Sequence, residues 1–376
     1  MEKNLIEEKK DSITKRISSK NILIKKILIL TMLTIFISIK IINNFLSSNE
    51  TTKKNNNFIF IKENTQKNMS KNKKILFIGS TGCDWIINYK KISEKGGFVK
   101  RPGAKGISQA LASSNLGAEV AFLGVIGDDI CGEKNIDDLE KNNIKHYIKV
   151  IPDMNTQIST NIFDNNNNQS IITIMSWANN FFDEELVNKN IKLLNEYDII
   201  VLQMEIPVKI VEYVIDIAYN SNKTIILNLS PVKPISKDIL KKCNYIIIDK
   251  NELSTLTGMN IDNDNQIELA SKKFYEIGIQ NLIVILGEKG TFLYNKETSR
   301  FFKIVQDYLS DIKTKGIKRE NDCYIGAFAN YLAKDYSLIG TIINTNFVFR
   351  YYAVLENDFP TQSDIDYFVG RISFYT

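Results

Sequence analysis

Short runs of consecutive apolar residues recur along the chain from about residue 73, and most of them end at a glycine or a polar residue. The runs that have this character are 74–79, 119–127, 198–203, 224–228, 245–249 and 282–287. They lack the strict alternation of apolar and polar positions that marks a half-exposed strand. They therefore predict short strands that are buried on both faces.

Helical periodicity fills several of the gaps between these runs. Apolar residues recur at intervals of three and four in the segments 107–116, 183–195, 208–220 and 265–278. Buried strands that alternate with amphipathic helices are typical of α/β proteins, in which helices cover both faces of a parallel sheet. We therefore expect an α/β sandwich of three layers.

Polar residues and glycines follow the predicted strands at the ends where ligands bind to open parallel sheets. They are Asp84, Gln203, Glu205, Asn228, Asp249, Glu252, Gly287, Lys289 and Gly290. Several carboxylates without a histidine favour a carboxylate base beside a metal-bound phosphate over hydride or acyl transfer. The chain contains neither the Gly-x-x-x-x-Gly-Lys-[Ser/Thr] motif nor Gly-x-Gly-x-x-Gly, so a P-loop enzyme is excluded.

A further helix is predicted where Asp322 precedes the small and apolar residues 323–332. An acidic side chain suits the first turn of a helix, where backbone N–H groups have no helical partner. Two interpretations fit this position. Asp322 caps an ordinary core helix, or it is a general base next to backbone amides that hold an anion.

The first 72 residues have a different pattern. Residues 1–26 are polar and charged, 27–46 are mainly hydrophobic, and 47–72 are rich in asparagine and lysine. The uninterrupted apolar run is shorter than the about 20 residues of a membrane span, and it matches the core of a signal peptide. We expect a signal or signal-anchor segment at 27–46, a disordered linker at 47–72 and a folded domain at 73–376.

This leader predicts entry into the secretory pathway or a membrane anchor, with membrane contact through 27–46 if the segment is not cleaved. The alternative is the lumen of a plastid-like organelle after the leader is removed, because a basic, asparagine-rich stretch follows the hydrophobic segment. Much of the basic excess behind the formal net charge of +5 lies in this leader. The charge therefore does not indicate a nucleic-acid partner.

Cysteine and histidine usage narrows the chemistry further. The chain has one histidine, His146, and four cysteines without a Cys-x-x-Cys pair. Zinc sites, Cys–His nucleophiles and Ser–His–Asp triads are therefore poorly supported. The pattern favours reduced and mostly buried thiols, which are Cys83, Cys131, Cys243 and Cys323.

Several short motifs follow one another in a distinctive order. They are GSTGCD at 79–84, PGAKGISQA at 102–110, GDDICG at 127–132, WANN at 177–180, QMEIP at 203–207, NLSP at 228–231, DKNELSTLTG at 249–258, LGEKG at 286–290 and DCYIGAF at 322–328. Together they resemble the ribokinase-like (PfkB) family of carbohydrate kinases, over roughly residues 73–370. The resemblance implies a three-layer α/β sandwich with a mostly parallel central sheet and a small β-lid. Lid elements are expected near 85–101 and 147–175, with a hairpin of 158–163 and 171–175.

The same resemblance implies transfer of a phosphoryl group from ATP to a hydroxyl of a sugar or nucleoside, with Asp322 as the general base. It assigns substrate binding to Asp84, Gly103, Lys105, Ser108, Asn179 and Glu205. It assigns nucleotide binding to Asp249, Gly287, Lys289, Gly290, Arg319 and Asn321. Asp249 and Glu252 would hold Mg²⁺ through water. A monovalent cation is a further candidate cofactor, and lid pairing implies a homodimer.

The chain departs from the family pattern just before Asp322. The family has Gly-Ala-Gly-Asp where this chain has Arg319-Glu320-Asn321-Asp322, and it is the glycines that let backbone amides approach the phosphoryl group. Arg319 is a candidate replacement through contact with phosphate. In another motif Ala104 replaces a glycine, which we interpret as a mild change, and Ser108 replaces an asparagine.

These departures leave three hypotheses open. The chain is an active sugar kinase, or it is a catalytically impaired kinase-like protein that binds sugar or nucleotide. The third hypothesis is an active kinase whose gene model is mis-spliced at 318–321.

Overall fold

A computed structural model describes residues 72–88, 98–163, 169–174, 178–302, 319–354 and 359–366. The predicted segments 1–26 and 27–46 lie outside the described residues, as does the predicted linker up to residue 71. Residues 303–318, which precede Arg319, also lie outside them. Within the described ranges no helix is both long and apolar enough to cross a membrane.

The predicted apolar runs form the strands at the centre of the fold. The described strands, in chain order, are β1 Ile75–Ile78, β2 Gly82–Asn88, β3 Phe98–Gly103, β4 Val120–Gly127, β5 Lys145–Ile151, β6 Gln157–Phe163, β7 Gln169–Ile174, β8 Ile199–Gln203, β9 Thr224–Asn228, β10 Tyr245–Asp249, β11 Asn281–Ile285, β12 Thr291–Asn295 and β13 Ser299–Phe302.

Nine of these strands form one large sheet in the order β13-β12-β11-β10-β9-β8-β1-β4-β5. All pairs from β11 to β5 are parallel, and β12 and β13 add an antiparallel edge. The carboxyl ends of the parallel strands therefore meet at one edge of the sheet, which is where the predicted site residues cluster.

Helices cover both faces of this sheet, as the alternating pattern predicts. They are α1 Lys105–Asn115, α2 Ile130–Lys141, α3 Glu184–Lys189, α4 Ile191–Glu196, α5 Val208–Asn220, α6 Lys237–Leu240, α7 Lys250–Thr257, α8 Asp264–Tyr275, α9 Glu320–Ala333 and α10 Leu338–Val354. The single helix predicted at 183–195 is two short helices, α3 and α4, which meet at Asn190.

The side chains of β1 point alternately into the two cores that separate the sheet from its two layers of helices. Leu76 and Ile78 belong to one core, which includes residues from α3 to α8. Ile75 and Phe77 belong to the core on the opposite face, which includes residues from α1, α2, α9 and α10. All four of these β1 side chains are fully buried, so the strand is apolar on both faces because both faces are covered.

A second, small sheet has the strand order β3-β2-β6-β7. Its outer pairs are antiparallel, and its central pair, β2 with β6, is parallel. The β6–β7 pairing confirms the predicted hairpin, with Ile158 opposite Ile174. The predicted lid segment that begins at residue 147 overlaps β5, but β5 pairs with β4 in the large sheet.

Candidate active site

Asp322 lies in the first turn of α9, which begins at Glu320 with Arg319 as its N-cap residue. Its side chain is nearly buried, and Gln109 Nε2 donates a hydrogen bond of 3.0 Å to Asp322 Oδ1. Burial raises the pKa of the Asp322 carboxyl, and the opposing effects of Lys105, Arg319 and Gln109 do not cancel it. The carboxyl group thus lies among two cations and the amide of Gln109.

The guanidinium group of Arg319 binds residues of β2 and of the start of α1. Arg319 Nε and Nη2 each lie 2.7 Å from Asp84 Oδ2. Nη1 donates to the Ala104 carbonyl at 2.7 Å and to the Ser108 hydroxyl. Burial opposes its charge, but Asp84 and Asp322 raise the pKa of Arg319 further above its ordinary value. Arg319 therefore keeps its positive charge, and its contacts hold the guanidinium group beside Asp84.

The contacts of Arg319 lie among residues that the resemblance assigns to the substrate. Arg319 was assigned to the nucleotide, whereas its side chain binds Asp84 and Ser108, two residues assigned to the substrate. The physical reason is charge: the nearest strong partner of a buried guanidinium group is the buried carboxylate of Asp84, whose side chain is 8% exposed. Arg319 Nη1 also lies 3.7 Å from Asp322 Oδ2, beyond hydrogen-bonding distance.

Glu205 and Lys105 form the next part of the site. Glu205 Oε2 accepts hydrogen bonds from the Ser80 hydroxyl at 2.6 Å and from the backbone N–H of Lys105 at 2.8 Å. Burial opposes the charge of the Lys105 ammonium group, but Asp322, Glu205 and Glu252 outweigh it and raise the pKa of Lys105. Lys105 therefore keeps its positive charge near the carboxylates of Asp322, Glu205 and Glu252.

Gly103 and Ala104 carry the chain from β3 into α1, next to Asp84. A Cβ atom on Gly103 would lie 2.3 Å from the Cys83 carbonyl carbon, so only glycine fits. Ala104 has φ 67° and ψ 154°, a conformation that is open almost only to glycine. The replacement of a glycine by Ala104 is therefore a strained change and not a mild one.

Asn179 holds the loop between β1 and β2. Its side chain accepts from the Thr81 N–H at 3.3 Å and donates to the Thr81 carbonyl at 3.1 Å and to Gln157 Oε1 at 3.3 Å. Asn179 is almost fully buried. The structure thus places this predicted substrate-binding residue against the β1–β2 loop, which carries Ser80 and leads into β2 with Asp84.

Asp249 and Glu252, the predicted Mg²⁺ residues, form a reciprocal cap at the start of α7. Glu252 N–H donates to Asp249 Oδ1, and Asp249 N–H donates to Glu252 Oε2, both at 2.8 Å. Asn321 Nδ2 lies 3.4 Å from Asp249 Oδ2, so the start of α9 adjoins this cap. Burial and the Asp249 charge raise the pKa of Glu252.

These carboxylates fit an outer-sphere metal role. Each uses one oxygen in the cap, and the other oxygen of Asp249 lies 3.4 Å from Asn321 Nδ2, which suits binding through water better than direct coordination. Among the described residues, no group of three or more potential His, Cys, Asp or Glu ligands has the geometry to hold a metal ion.

The remaining predicted nucleotide residues lie in the turn between β11 and β12. Gly287 and Gly290 have φ values of 61° and 96°, which explains why glycine occupies both positions. Lys289 is exposed in the short 3₁₀ turn between them. Since β11 pairs with β10 in parallel, this turn lies at the same sheet edge as Asp249.

The prediction of four reduced cysteines is wrong for two of them. Cys83 and Cys131 form a disulfide with a Cα–Cα distance of 6.0 Å, whereas Cys243 and Cys323 are free and buried. The bond joins β2, immediately before Asp84, to the first turn of α2. The two residues are 48 positions apart, so only the fold brings them together.

Gln109 is a site residue that sequence reasoning missed. It lies within the motif at 102–110 but was not singled out, because it is on a helix and not at a strand end. The strand-end rule did identify Gln203 and Asn228, which both bind Gln109 in the structure. Its only signal in the sequence is its place in that motif, because its burial and its contacts are visible only in the structure.

Comparisons with known proteins find similar sequences and similar folds. The family model described as pfkB family carbohydrate kinase matches residues 72–311, a range that ends before Arg319. The deoxyribokinase of Salmonella typhi is 28% identical over 265 residues, covering 68% of this chain and 85% of that protein. The ribokinase of Haemophilus influenzae is 28% identical over 239 residues, covering 61% and 78%.

Solved structures share the fold. The ribokinase from Thermotoga maritima has a TM-score of 0.69 at 24% identity and covers 79% of this chain and 99% of its own. The ribokinase of Arabidopsis thaliana, solved with ribose and ATP, has a TM-score of 0.70 at 21% identity and covers 78% and 98%.

Proposed function

The chain belongs to the pfkB family of carbohydrate kinases, and we propose that it transfers the terminal phosphoryl group of ATP to a hydroxyl of a pentose. One observation carries the proposal: a buried carboxylate, Asp322, lies in the first turn of a helix at the carboxyl-end edge of the sheet. The relatives named ribokinase and deoxyribokinase support a pentose as the substrate class.

In this proposal Asp322 takes the proton from the attacking hydroxyl. Its Oδ1 is held by Gln109, which leaves Oδ2 to face the substrate. The N-terminal turn of α9 supplies backbone N–H groups and the positive end of a helix dipole where negative charge develops. Lys105, with its raised pKa, adds a permanent positive charge beside Asp322 and Glu205.

ATP and Mg²⁺ are the cofactors that we propose. Asp249 and Glu252 would hold the metal through water, and Asn321 adjoins them from α9. The ion, when bound, would neutralise phosphate charge. The predicted monovalent cation and the homodimer through the lid stay predictions.

A second candidate function is favoured by one specific contact. The Arg319 guanidinium group binds Asp84 and Ser108, which are the groups that the resemblance assigns to substrate hydroxyls. If the pair persists when substrate binds, the chain is a kinase-like protein that binds sugar or nucleotide and turns over slowly.

Purified full-length protein tests both candidates. We expect formation of ADP and a pentose phosphate from Mg·ATP with ribose or 2-deoxyribose, and a loss of about 10²- to 10⁴-fold in kcat for Asp322→Asn. Melting-temperature increases with sugar or ATP, without product, would support the binding protein instead. Sequencing the transcript across residues 305–325 decides the mis-splicing hypothesis.

A further inference from the structure

A chain of buried amide side chains runs from the middle of the sheet to Asp322. Asn228, at the end of β9, donates from Nδ2 to the Ile247 carbonyl of β10 at 3.0 Å. Gln109 Nε2, on α1, donates to Asn228 Oδ1 at 3.1 Å and to Asp322 Oδ1 at 3.0 Å. Gln203, at the end of β8, donates from Nε2 to Gln109 Oε1 at 2.9 Å.

The direction of every hydrogen bond in this chain follows from its first member. The Ile247 carbonyl can only accept, so the amide nitrogen of Asn228 must face it and the amide oxygen must face Gln109. Gln109 therefore turns its nitrogen towards Asn228, and that same nitrogen donates to Asp322. Reversing the Gln109 amide would place two oxygens together at Asn228 and two more at Asp322.

Burial makes this arrangement hard to change. Gln109 and Gln203 are fully inaccessible to solvent, and Asn228 is 3% exposed. A buried amide that lost its partners would leave unsatisfied donors, at a cost that solvent cannot offset. Gln109 thus presents a fixed N–H donor to one oxygen of Asp322.

We propose that Gln109 is a positioning residue, which fixes Asp322 Oδ1 against the sheet and so directs Oδ2 towards the substrate hydroxyl. The inference rests on the proposed kinase function of this site. A donor that cannot reverse also favours the carboxylate over the carboxylic acid. Burial and the Glu205 charge oppose the charged form of the same carboxyl, whereas Lys105 and Arg319 favour it.

Gln109→Met is the informative variant, because it keeps the length of the side chain and removes the donor. We expect kcat to fall by about 10- to 100-fold, which corresponds to losing a hydrogen bond to a charged group. KM for sugar and for ATP should change little. Without the donor the pKa of Asp322 rises, so the acidic limb of the kcat profile should move to higher pH.

Thr291→Val is the matched control for lost stability. Thr291 is buried and bonds to Tyr324 of α9 and Asn346 of α10, but it does not contact Asp322. This variant should keep the wild-type pH profile although it also loses buried hydrogen bonds. A Gln109→Met enzyme with an unchanged acidic limb and an unchanged kcat would overturn the proposal.

An infrared titration of the Asp322 carboxyl separates this inference from the kinase proposal. The carboxyl band is identified as the difference between each protein and its Asp322→Asn counterpart. We expect the band to titrate at higher pH in Gln109→Met than in wild type, whether or not turnover occurs. An identical titration in both would overturn the inference, whereas absent turnover in wild type overturns only the proposed activity.

Discussion

Arg319, the N-cap residue of α9, places a permanent positive charge between two carboxylates, Asp84 and Asp322. The pair with Asp84 is buried, so removing either partner leaves an uncompensated charge, which is strongly destabilising. A neutral sugar hydroxyl competes poorly with a guanidinium group for the same carboxylate oxygen. We therefore propose that Arg319 limits how much of Asp84 and Ser108 is available to a sugar hydroxyl.

Arg319→Ala should strengthen sugar binding. Asp84 and Ser108 then become free to bind hydroxyls, and a new hydrogen bond to a charged group corresponds to a fall of about tenfold or more in the sugar KM. The same change removes a cation that favours the ionised form of Asp322, so the pKa of Asp322 rises. The acidic limb of the pH profile should move to higher pH.

The double variant with Asp84→Asn is the control, because it should reverse most of the gain in sugar affinity. Steady-state kinetics with both substrates gives the answer. A raised KM for ATP with an unchanged KM for sugar would show that Arg319 contacts phosphate and not the sugar side.

Ala104→Gly should stabilise the protein by about 1 kcal/mol. Ala104 has a positive φ of 67°, and such a conformation costs a residue with a Cβ atom about 1–3 kcal/mol, partly offset by the chain entropy of glycine. Denaturant unfolding measures the difference. Equal or lower stability in the variant would contradict the strain at this position.

Individual site residues were predictable to different degrees. Asp84, Glu205 and Asp322 lie in motifs, and the structure brings them together around Lys105 and Arg319. The direction of the Arg319 side chain was not predictable, because it depends on the position of Asp84, which is 235 residues away in the sequence. The strain at Ala104 was not predictable either, because it is visible only in the backbone angles of the structure.

Close packing of α9 against α1 joins the base to the residue that positions it. A Cβ atom on Gly326 would lie 2.5 Å from the Gln109 carbonyl oxygen and 2.7 Å from Ala112 Cβ. The absence of a side chain at this position therefore sets the distance between the two helices. It also keeps Gln109 within hydrogen-bonding distance of Asp322.

Gly326→Val should separate α9 from α1 and impair the site. Overpacking of this kind costs about 1–3 kcal/mol, and kcat should fall because the Gln109–Asp322 bond lengthens. Gly340→Val is the matched control on α10, where a Cβ atom meets mainly the flexible Ser337 hydroxyl at 3.1 Å. Equal effects of the two substitutions on unfolding and on kcat would contradict the role of the α1–α9 contact.

Elements with a clear pattern were predictable, and edge elements were not. The bounds of β9, β10 and α5 agree with the predicted segments, because β9 and β10 are short apolar runs that end at a polar residue and α5 has helical periodicity. β5 was missed because most of it is only partly buried at the sheet edge. The antiparallel strands β12 and β13 were not predicted either. They follow the turn at 287–290, which the motif analysis assigned to nucleotide binding, and no strand was predicted after it.

The Cys83–Cys131 disulfide bears on the compartment in which the protein resides, as does the predicted leader. Structural disulfides persist in oxidising compartments, and a signal or signal-anchor segment at 27–46 would deliver the chain to one. We therefore propose that the protein enters the secretory pathway and that the bond holds β2, with Asp84, against α2. Four reduced thiols after isolation from the native compartment would contradict this proposal.

Reduction of the disulfide should lower the stability of the whole molecule. Releasing a cross-link between residues 48 positions apart typically costs about 2–4 kcal/mol. Thiol titration of the denatured, unreduced protein should find two reactive cysteines, Cys243 and Cys323, and unfolding should occur at lower denaturant after reduction. Cys243→Ser is a control that should leave the cross-link intact.

The turnover number of the full-length protein with Mg·ATP and a pentose, compared with that of Asp322→Asn, tests the proposed kinase activity most directly. We predict a sugar phosphate from the wild-type protein and a loss of at least about 100-fold in the variant, because a general base is removed while the shape of the site is kept. Wild-type protein that binds sugar or ATP without forming product would contradict the activity, and equal turnover in the two proteins would contradict the assignment of Asp322 as the base.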